Sequence, residues 1–305
     1  MQSILCMLGQ HSVFESASHV LKSLLRLDVS AKQIQRVSEW YGNQIDPIIE
    51  ANHQRYIPQL RQAKKDEYTY VMMDGSNLYT REEDWKEIKV GRIFHQSQNI
   101  GIQENRNQIS HSLYVSHLGD IDGFFPKLER HLANIKSKKI FISDGAKWIW
   151  KWNDDNFPGS IQILDYYHAV EKIEMFARLY FKKEDQKVLW MTKQKELLLN
   201  DQVLQVIKNV EEFRCRTEDQ KKAKKTVISY YTDHEDRMMY KTFKENGWLI
   251  GSGPIESAHR NLVQQRLKLS GQRWSKKGAQ SIVNLRAYNL SKSWNLIEDL
   301  IKLAA

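Results

Sequence analysis

Three carboxylates in this chain have the type and placement that could do chemistry. Two of them open Asp-Gly pairs, Asp74-Gly75 and Asp144-Gly145, and each pair follows a β-prone run. The runs are Tyr68-Thr69-Tyr70-Val71-Met72-Met73 and Lys139-Ile140-Phe141-Ile142-Ser143. In open α/β sheets sites form at the carboxyl ends of strands, and the glycine leaves room for a ligand to approach. The third carboxylate is Glu256, in the glycine loop Gly251-Ser252-Gly253-Pro254-Ile255-Glu256-Ser257 that feeds into a helix. Pro254 suits the first helical position, where its missing N–H costs nothing, and Gly253 falls at the N-cap. Singly, each is bland: Asp-Gly is a common turn signal, and a first-turn glutamate complements a helix dipole. As a set, carboxylates suit hard Mg²⁺ or Mn²⁺ ions. Two such ions about 4 Å apart can activate a water or a 3′-hydroxyl and stabilise the leaving oxygen in phosphodiester transfer.

Composition supplies the substrate class. The chain has 305 residues and a net charge of +9, which makes a polyanion the first partner to consider. No long uncharged apolar run exists, so nucleic acid is expected over a membrane. With only two cysteines, Cys6 and Cys215, a disulfide framework and a Cys-x-x-Cys metal cluster are both excluded. That suits a reducing cytosol, and the expected location is cytoplasmic.

The elements that must hold these residues follow from periodicity. Residues 1–65 read as a helical N-terminal segment, with one helix over 13–27, a turn at Asp28-Val29-Ser30 and a second helix from Ser30 onward. Helix, short turn, helix resembles a helix-turn-helix unit; an ordinary helical hairpin on the core is the alternative. Residues 66–168 read as three strands, helix, strand, helix, strand, with a Gln- and Asn-rich loop over 96–108. The first three strands can form an antiparallel meander, and the later two add through crossovers. That is the layout of a ribonuclease H-like α/β domain, a mixed sheet flanked by helices. Residues 169–250 read as an all-helical insertion. Residues 251–305 carry the Glu256 helix, with Ile255, Ala258, Leu262 and Leu269 on one apolar face, and two closing helices.

Four groups of residues carry a family likeness. They are Asp144-Gly-Ala-Lys-Trp-Ile-Trp150, Ile163-Leu164-Asp165-Tyr-Tyr-His168-Ala169, the Gly251–Ser257 loop, and Gly271-Gln272-Arg273-Trp274-Ser275 with Gly278-Ala279-Gln280. In this order they resemble the DDE-type transposases of bacterial insertion sequences, ISKra type, over residues 66 to 294. The resemblance implies that Asp74, Asp144 and Glu256 are the catalytic and metal-binding carboxylates, with Asp74 bridging two Mg²⁺ (or Mn²⁺) ions. It implies DNA partners, both element ends and target, and a homo-oligomer assembled on DNA. Members of the family usually carry a longer N-terminal region, so residues 1–65 are expected to be a truncated one.

Asp165-x-x-His168 is similar to an element that follows the second aspartate in several such superfamilies. His168 either fixes the strand–helix joint through Asp165 or contacts the scissile phosphate or a flanking base. Downstream of Glu256, Arg260, Arg266, Lys268 and Arg273 interleave with Trp274, a pattern that can hold phosphates and stack on a base; a basic helix surface with Trp274 in the core is the plainer reading. The expected function is metal-dependent DNA cleavage and strand transfer. The alternatives are a non-catalytic DNA-binding remnant of a transposase and a ribonuclease H-like nuclease that never joins strands.

Overall fold

The computed structural model describes residues 1–103 and 106–303. The first helices are α1 (Gln2–His11), α2 (Phe14–Leu25) and α3 (Ala31–Asn52). Five strands and a helix follow: β1 (Thr69–Thr80), β2 (Asp84–His95), β3 (Asn99–Gln103), β4 (Arg106–Ile109), β5 (Leu113–Leu118) and α4 (Ile121–Leu132). Then come β6 (Lys139–Ser143), α5 (Lys147–Asn156), β7 (Ile161–Leu164) and the helices α6 (Tyr166–Tyr180), α7 (Glu184–Leu198), α8 (Val203–Glu211), α9 (Glu218–Asp233) and α10 (Tyr240–Glu245). The chain closes with α11 (Gly253–His259), a π-helical turn over Arg260–Gln264, α12 (Gln265–Leu267), α13 (Lys276–Leu290) and α14 (Trp294–Leu303). The chain is α/β, with antiparallel and parallel strand pairs and flanking helices. No helix among the described residues is long and apolar enough to cross a membrane. The chain divides into two compact units, Met1–Lys138 with Pro254–Ala305, and Lys139–Gly253.

In the first unit, β1, β2 and β5 form the expected antiparallel meander, with β2 in the middle. β5 is bonded to β2 along one side, and α13 satisfies groups along the other. Ser291 Oγ and Gln280 Oε1 accept the Tyr114 and Leu118 N–H groups at 3.0 and 2.7 Å. An edge strand whose free groups are taken up this way is closed to further pairing.

α13 is buried on most of its circumference, which a helix tolerates only when covered on several sides. α3 covers one of them. Gly42 allows the close approach, because a Cβ there would collide with the Ser281 backbone. Asn284 Nδ2 donates to Gly42 O and to Asp46 Oδ2, both at 3.1 Å. Tyr41, Ile45, Ile49, Leu285, Tyr288, Ile297 and Leu300 fill a shared apolar core. The N-terminal helices are thus part of this unit's core, and the boundary expected at residue 65 is not a structural one. The turn and N-cap before α3 are as expected: Ser30 Oγ accepts the Gln33 N–H at 3.2 Å.

One expected loop is a correction. Within the Gln- and Asn-rich stretch, β3 and β4 pair as a short antiparallel ribbon. Its side chains are largely exposed, so no apolar alternation advertises it.

In the second unit, β6 and β7 pair in parallel, from Ile140↔Ile161 to Ser143↔Leu164. The helices that follow make the expected all-helical segment. An aromatic cluster of Phe176, Tyr180, Phe181, Trp190 and Phe213 binds α6 and α7 together, with Phe176 and Tyr180 ring centroids 4.5 Å apart. Tyr231 on α9 donates to Ala169 O on α6 at 2.8 Å. Thr217 and Gln220 form a capping box at the start of α9, satisfying two donors a helix start leaves unpaired.

Candidate functional site

Asp74 lies in the middle of β1, paired with Val90, and the strand continues to Thr80. The strand end expected at Asp74-Gly75 is therefore a correction. The Trp85–Lys89 run on β2 holds the register past Gly75, and a side chain at Gly75 would run into the Glu87 carboxylate. Gly75 thus makes room for Glu87 rather than ending the strand. The burial pattern still marks the spot. Five buried residues, Thr69 to Met73, give way to three half-buried ones, Asp74 to Ser76.

The Asp74 side chain is 39% exposed. Its Oδ1 accepts the Gly75 N–H at 2.7 Å, and its Oδ2 lies 3.5 Å from His259 Nε2. His259 is buried, and its Nδ1 lies 3.1 Å from Ser76 Oγ. Lys268 Nζ donates to the same oxygen at 3.0 Å. Burial pushes the His259 imidazole below its ordinary range, and the Asp74 charge pulls against it. Burial likewise lowers Lys268, again opposed by Asp74.

Glu256 is exposed in the first turn of α11. It stands three residues before His259, so the two share a helix face. The start of α11 is fixed from β2: the buried Arg92 donates Nη1 to Pro254 O at 2.7 Å and Nε to Ser112 Oγ at 2.9 Å. Sequence reading passed over Arg92, His259 and Glu87. The Glu256-x-x-His259 spacing was the available signal for His259.

Beyond His259 the helix opens into the π-turn, and buried positions step by four: Ile255, His259, Val263, Leu267 and Ala258, Leu262, Arg266. That spacing keeps one face at the α-helical period through Arg266, and the helix ends at Leu267. Leu269, expected on that face, is 40% exposed, and Arg266 turns inward.

Arg266 and Trp274 are corrections as DNA-contact residues. The Arg266 guanidinium donates from Nε and Nη2 to Gly9 O at 3.1 and 3.0 Å. It packs against the rings of Phe14 and Trp274, 4.7 and 4.8 Å from their centroids, and the two rings meet edge to face at 6.0 Å. Trp274 is buried and donates Nε1 to Leu267 O at 3.1 Å. Both are interior groups; the plainer reading had Trp274 in the core but the basic residues on a helix surface. Arg260 and Arg273 are exposed, and Arg273 lies 5.8 Å from the Tyr79 ring centroid. Lys268 is exposed over most of its surface, with its ammonium turned to Ser76.

In the second unit, Asp144 follows β6 directly, as expected. Its Oδ1 accepts the Ala146 N–H at 3.0 Å, and its carbonyl accepts from Trp150 Nε1 at 2.9 Å. Gly145 lies under the Tyr230 ring of α9, which would collide with any Cβ there. Burial pushes the Tyr230 phenol up, and the Asp144 and Asp165 charges push the same way.

Asp165 is fully buried as the N-cap of α6. Its Oδ1 accepts the His168 N–H at 2.8 Å, and its Oδ2 accepts the Ser252 N–H. Burial alone would raise its pKa; the hydrogen bonds from His168 and Ser252 outweigh that and hold it low. His168 Nδ1 lies 3.3 Å from Asp165 Oδ1. This contact raises the imidazole to about 9, with the Asp165 and Asp144 charges adding and burial opposing. The His168 imidazole therefore lies against the N-cap carboxylate, which favours its charged form.

Carboxylate oxygens are hard donors, so the donor set fits Mg²⁺ or Mn²⁺ in kind. Asp74 and Glu256 belong to the first unit and Asp144 to the second. Among the described residues, no three His, Cys, Asp or Glu side chains form a group that could hold a metal ion. A groove of about 800 Å³ between 59–68 and 134–138 contains none of the expected site residues. No family model and no curated protein matches the chain.

Proposed function

We propose that this chain is a DDE-type transposase that cleaves DNA at element ends and joins the freed 3′-hydroxyl to target DNA. The observation that carries the reading is the ordered set of motifs around Asp144, Asp165–His168, Glu256 and Arg273. The local setting of each carboxylate supports it. Asp74 is half-exposed, with one oxygen on the Gly75 N–H and the other toward a buried histidine. Glu256 stands exposed on the same helix face as that histidine, in the first turn of α11.

Asp74, Asp144 and Glu256 would hold two Mg²⁺ or Mn²⁺ ions. When bound, these supply an activated water or 3′-hydroxyl and charge neutralisation at the leaving oxygen. The chain's own residues supply position. The Gly75 N–H and His259 orient Asp74. The cationic His168 places positive charge beside Asp144, where it can take up phosphate charge. Arg260 and Arg273 offer exposed charge for the DNA backbone.

The test is purified protein with Mg²⁺ and a donor DNA carrying the element's ends, compared with Glu256→Gln. Cleaved and joined products that vanish in the variant support the reading. Cleavage without joining leaves a nuclease. DNA binding with no cleavage by either protein leaves a non-catalytic remnant.

A further inference from the structure

Three side chains behind Asp74 form a relay that runs one way. Lys268 ends α12, Ser76 and Asp74 lie two residues apart on β1, and His259 ends α11. Side chains two apart on a strand share a face, so Ser76 and Asp74 present to the same imidazole. A lysine ammonium only donates, so Ser76 Oγ is the acceptor in the 3.0 Å contact with Lys268 Nζ. A carboxylate only accepts, so of the two neutral tautomers only the Nε2–H form faces Asp74 Oδ2 favourably. In a neutral imidazole the other nitrogen then accepts, and the Ser76 O–H, 3.1 Å from Nδ1, is the donor in place. The Nε2–Oδ2 separation of 3.5 Å exceeds a formed hydrogen bond. Nε2 is buried and makes no hydrogen bond of normal geometry among the described residues, and the Asp74 main chain also favours a protonated ring.

The setting is built. The π-turn directly after His259 marks a local departure from the α-helical ladder, a feature frequent at functional sites. It also carries the chain on to Lys268, which returns to the same serine. Gly75 between the two strand residues leaves space that the Glu87 carboxylate occupies.

We infer that His259 is a positioning residue for Asp74, with its Nε2–H tautomer set by the Lys268–Ser76 pair, and that it donates to Asp74 Oδ2 when that carboxylate takes up its cation. The inference rests on the proposed function for the role of Asp74, though the tautomer does not. Partners behind a metal-ligating carboxylate fix its orientation, and losing one costs about 10–100-fold in metal affinity or activity.

Two readouts test it. Histidine ¹⁵N NMR on the full chain, without metal or DNA, should show His259 as the Nε2–H tautomer, with the preference weakened in Ser76→Ala. An Nδ1–H tautomer, or a preference that Ser76→Ala leaves untouched, overturns the inference whether or not the protein cuts DNA. The second readout is the Mg²⁺ dependence of cleavage in His259→Gln, His259→Asn and His259→Leu. Glutamine places an N–H near Nε2 and asparagine near Nδ1. The Mg²⁺ half-saturation should stay near wild type in His259→Gln and rise by about 10-fold or more in the other two. Equal Mg²⁺ dependence in all three overturns the inference while the transposase reading stands. If wild type itself cuts nothing, that reading fails and the tautomer alone decides. Thermal melts of each variant separate loss of folding from loss of positioning.

Discussion

At the scale of single residues, burial divides the basic side chains after Glu256 into two kinds. Arg266 is an interior cation that satisfies Gly9 O and packs against two aromatic rings. Arg266→Ala should cost about 3–5 kcal/mol, combining an unsatisfied carbonyl, lost cation–π contact and a cavity. Urea unfolding measures it, and a loss under about 1 kcal/mol would contradict the packing role. Arg260 is exposed, so Arg260→Ala should leave the melt unchanged. It should weaken DNA binding across sequences and reduce the salt slope by about 1. His168 carries a pH signature. Its folded pKa is raised from 6.5 to about 9, so its stabilisation is complete below 6.5 and is lost as pH rises through 9. The side chain is 37% exposed, so screening reduces the effect to on the order of 1 kcal/mol. Unfolding measured at about pH 6 and about pH 10 should show that loss, and His168→Gln should abolish it.

At the scale of elements, Gly42 is the tightest test of how α3 meets α13. Gly42→Ala sets a methyl against the Ser281 backbone, which cannot swing aside as a side chain can. It should destabilise by about 3 kcal/mol, the upper end for overpacking, as read from the shift in urea midpoint. An unchanged midpoint would mean that the helices separate freely. The helices were legible in the sequence because their period and caps are local: Ser30 before α3 caps as read, while the Asp165 cap of α6 was read only as a strand end. The meander was legible from alternation. Three things were not. β1 runs past Asp74-Gly75 because a cross-strand partner holds it, and pairing is invisible to a local turn signal. The β3–β4 ribbon has no buried face to advertise it. Arg266 falls on the Ile255 face at an α-helical period and only its charge assigned it to the surface, Leu269 lies past the end of α12, and no local signal marks the π-turn. Its placement depends on the packing of α13, whose Arg286 Nε donates to Leu262 O at 2.8 Å inside the turn.

At the scale of the whole molecule, the net charge of +9 should make DNA affinity fall linearly in log–log form with salt, with a slope of about −0.9 per phosphate neutralised. Filter binding or anisotropy across a salt series measures this, and affinity that ignores salt would contradict a phosphate-dominated contact. The carboxylates impose a stricter demand. Asp74 and Glu256 come from one compact unit and Asp144 from the other, yet the proposed chemistry requires them to act as one. Residues that act as a unit are strongly non-additive. The most direct measurement is therefore the Mg²⁺-dependent cleavage rate of Asp74→Asn, Asp144→Asn, Glu256→Gln and the triple variant on one donor DNA. Each single substitution should fall by more than about 100-fold to the same floor as the triple. Cleavage by Asp144→Asn within a few-fold of wild type would contradict the shared centre.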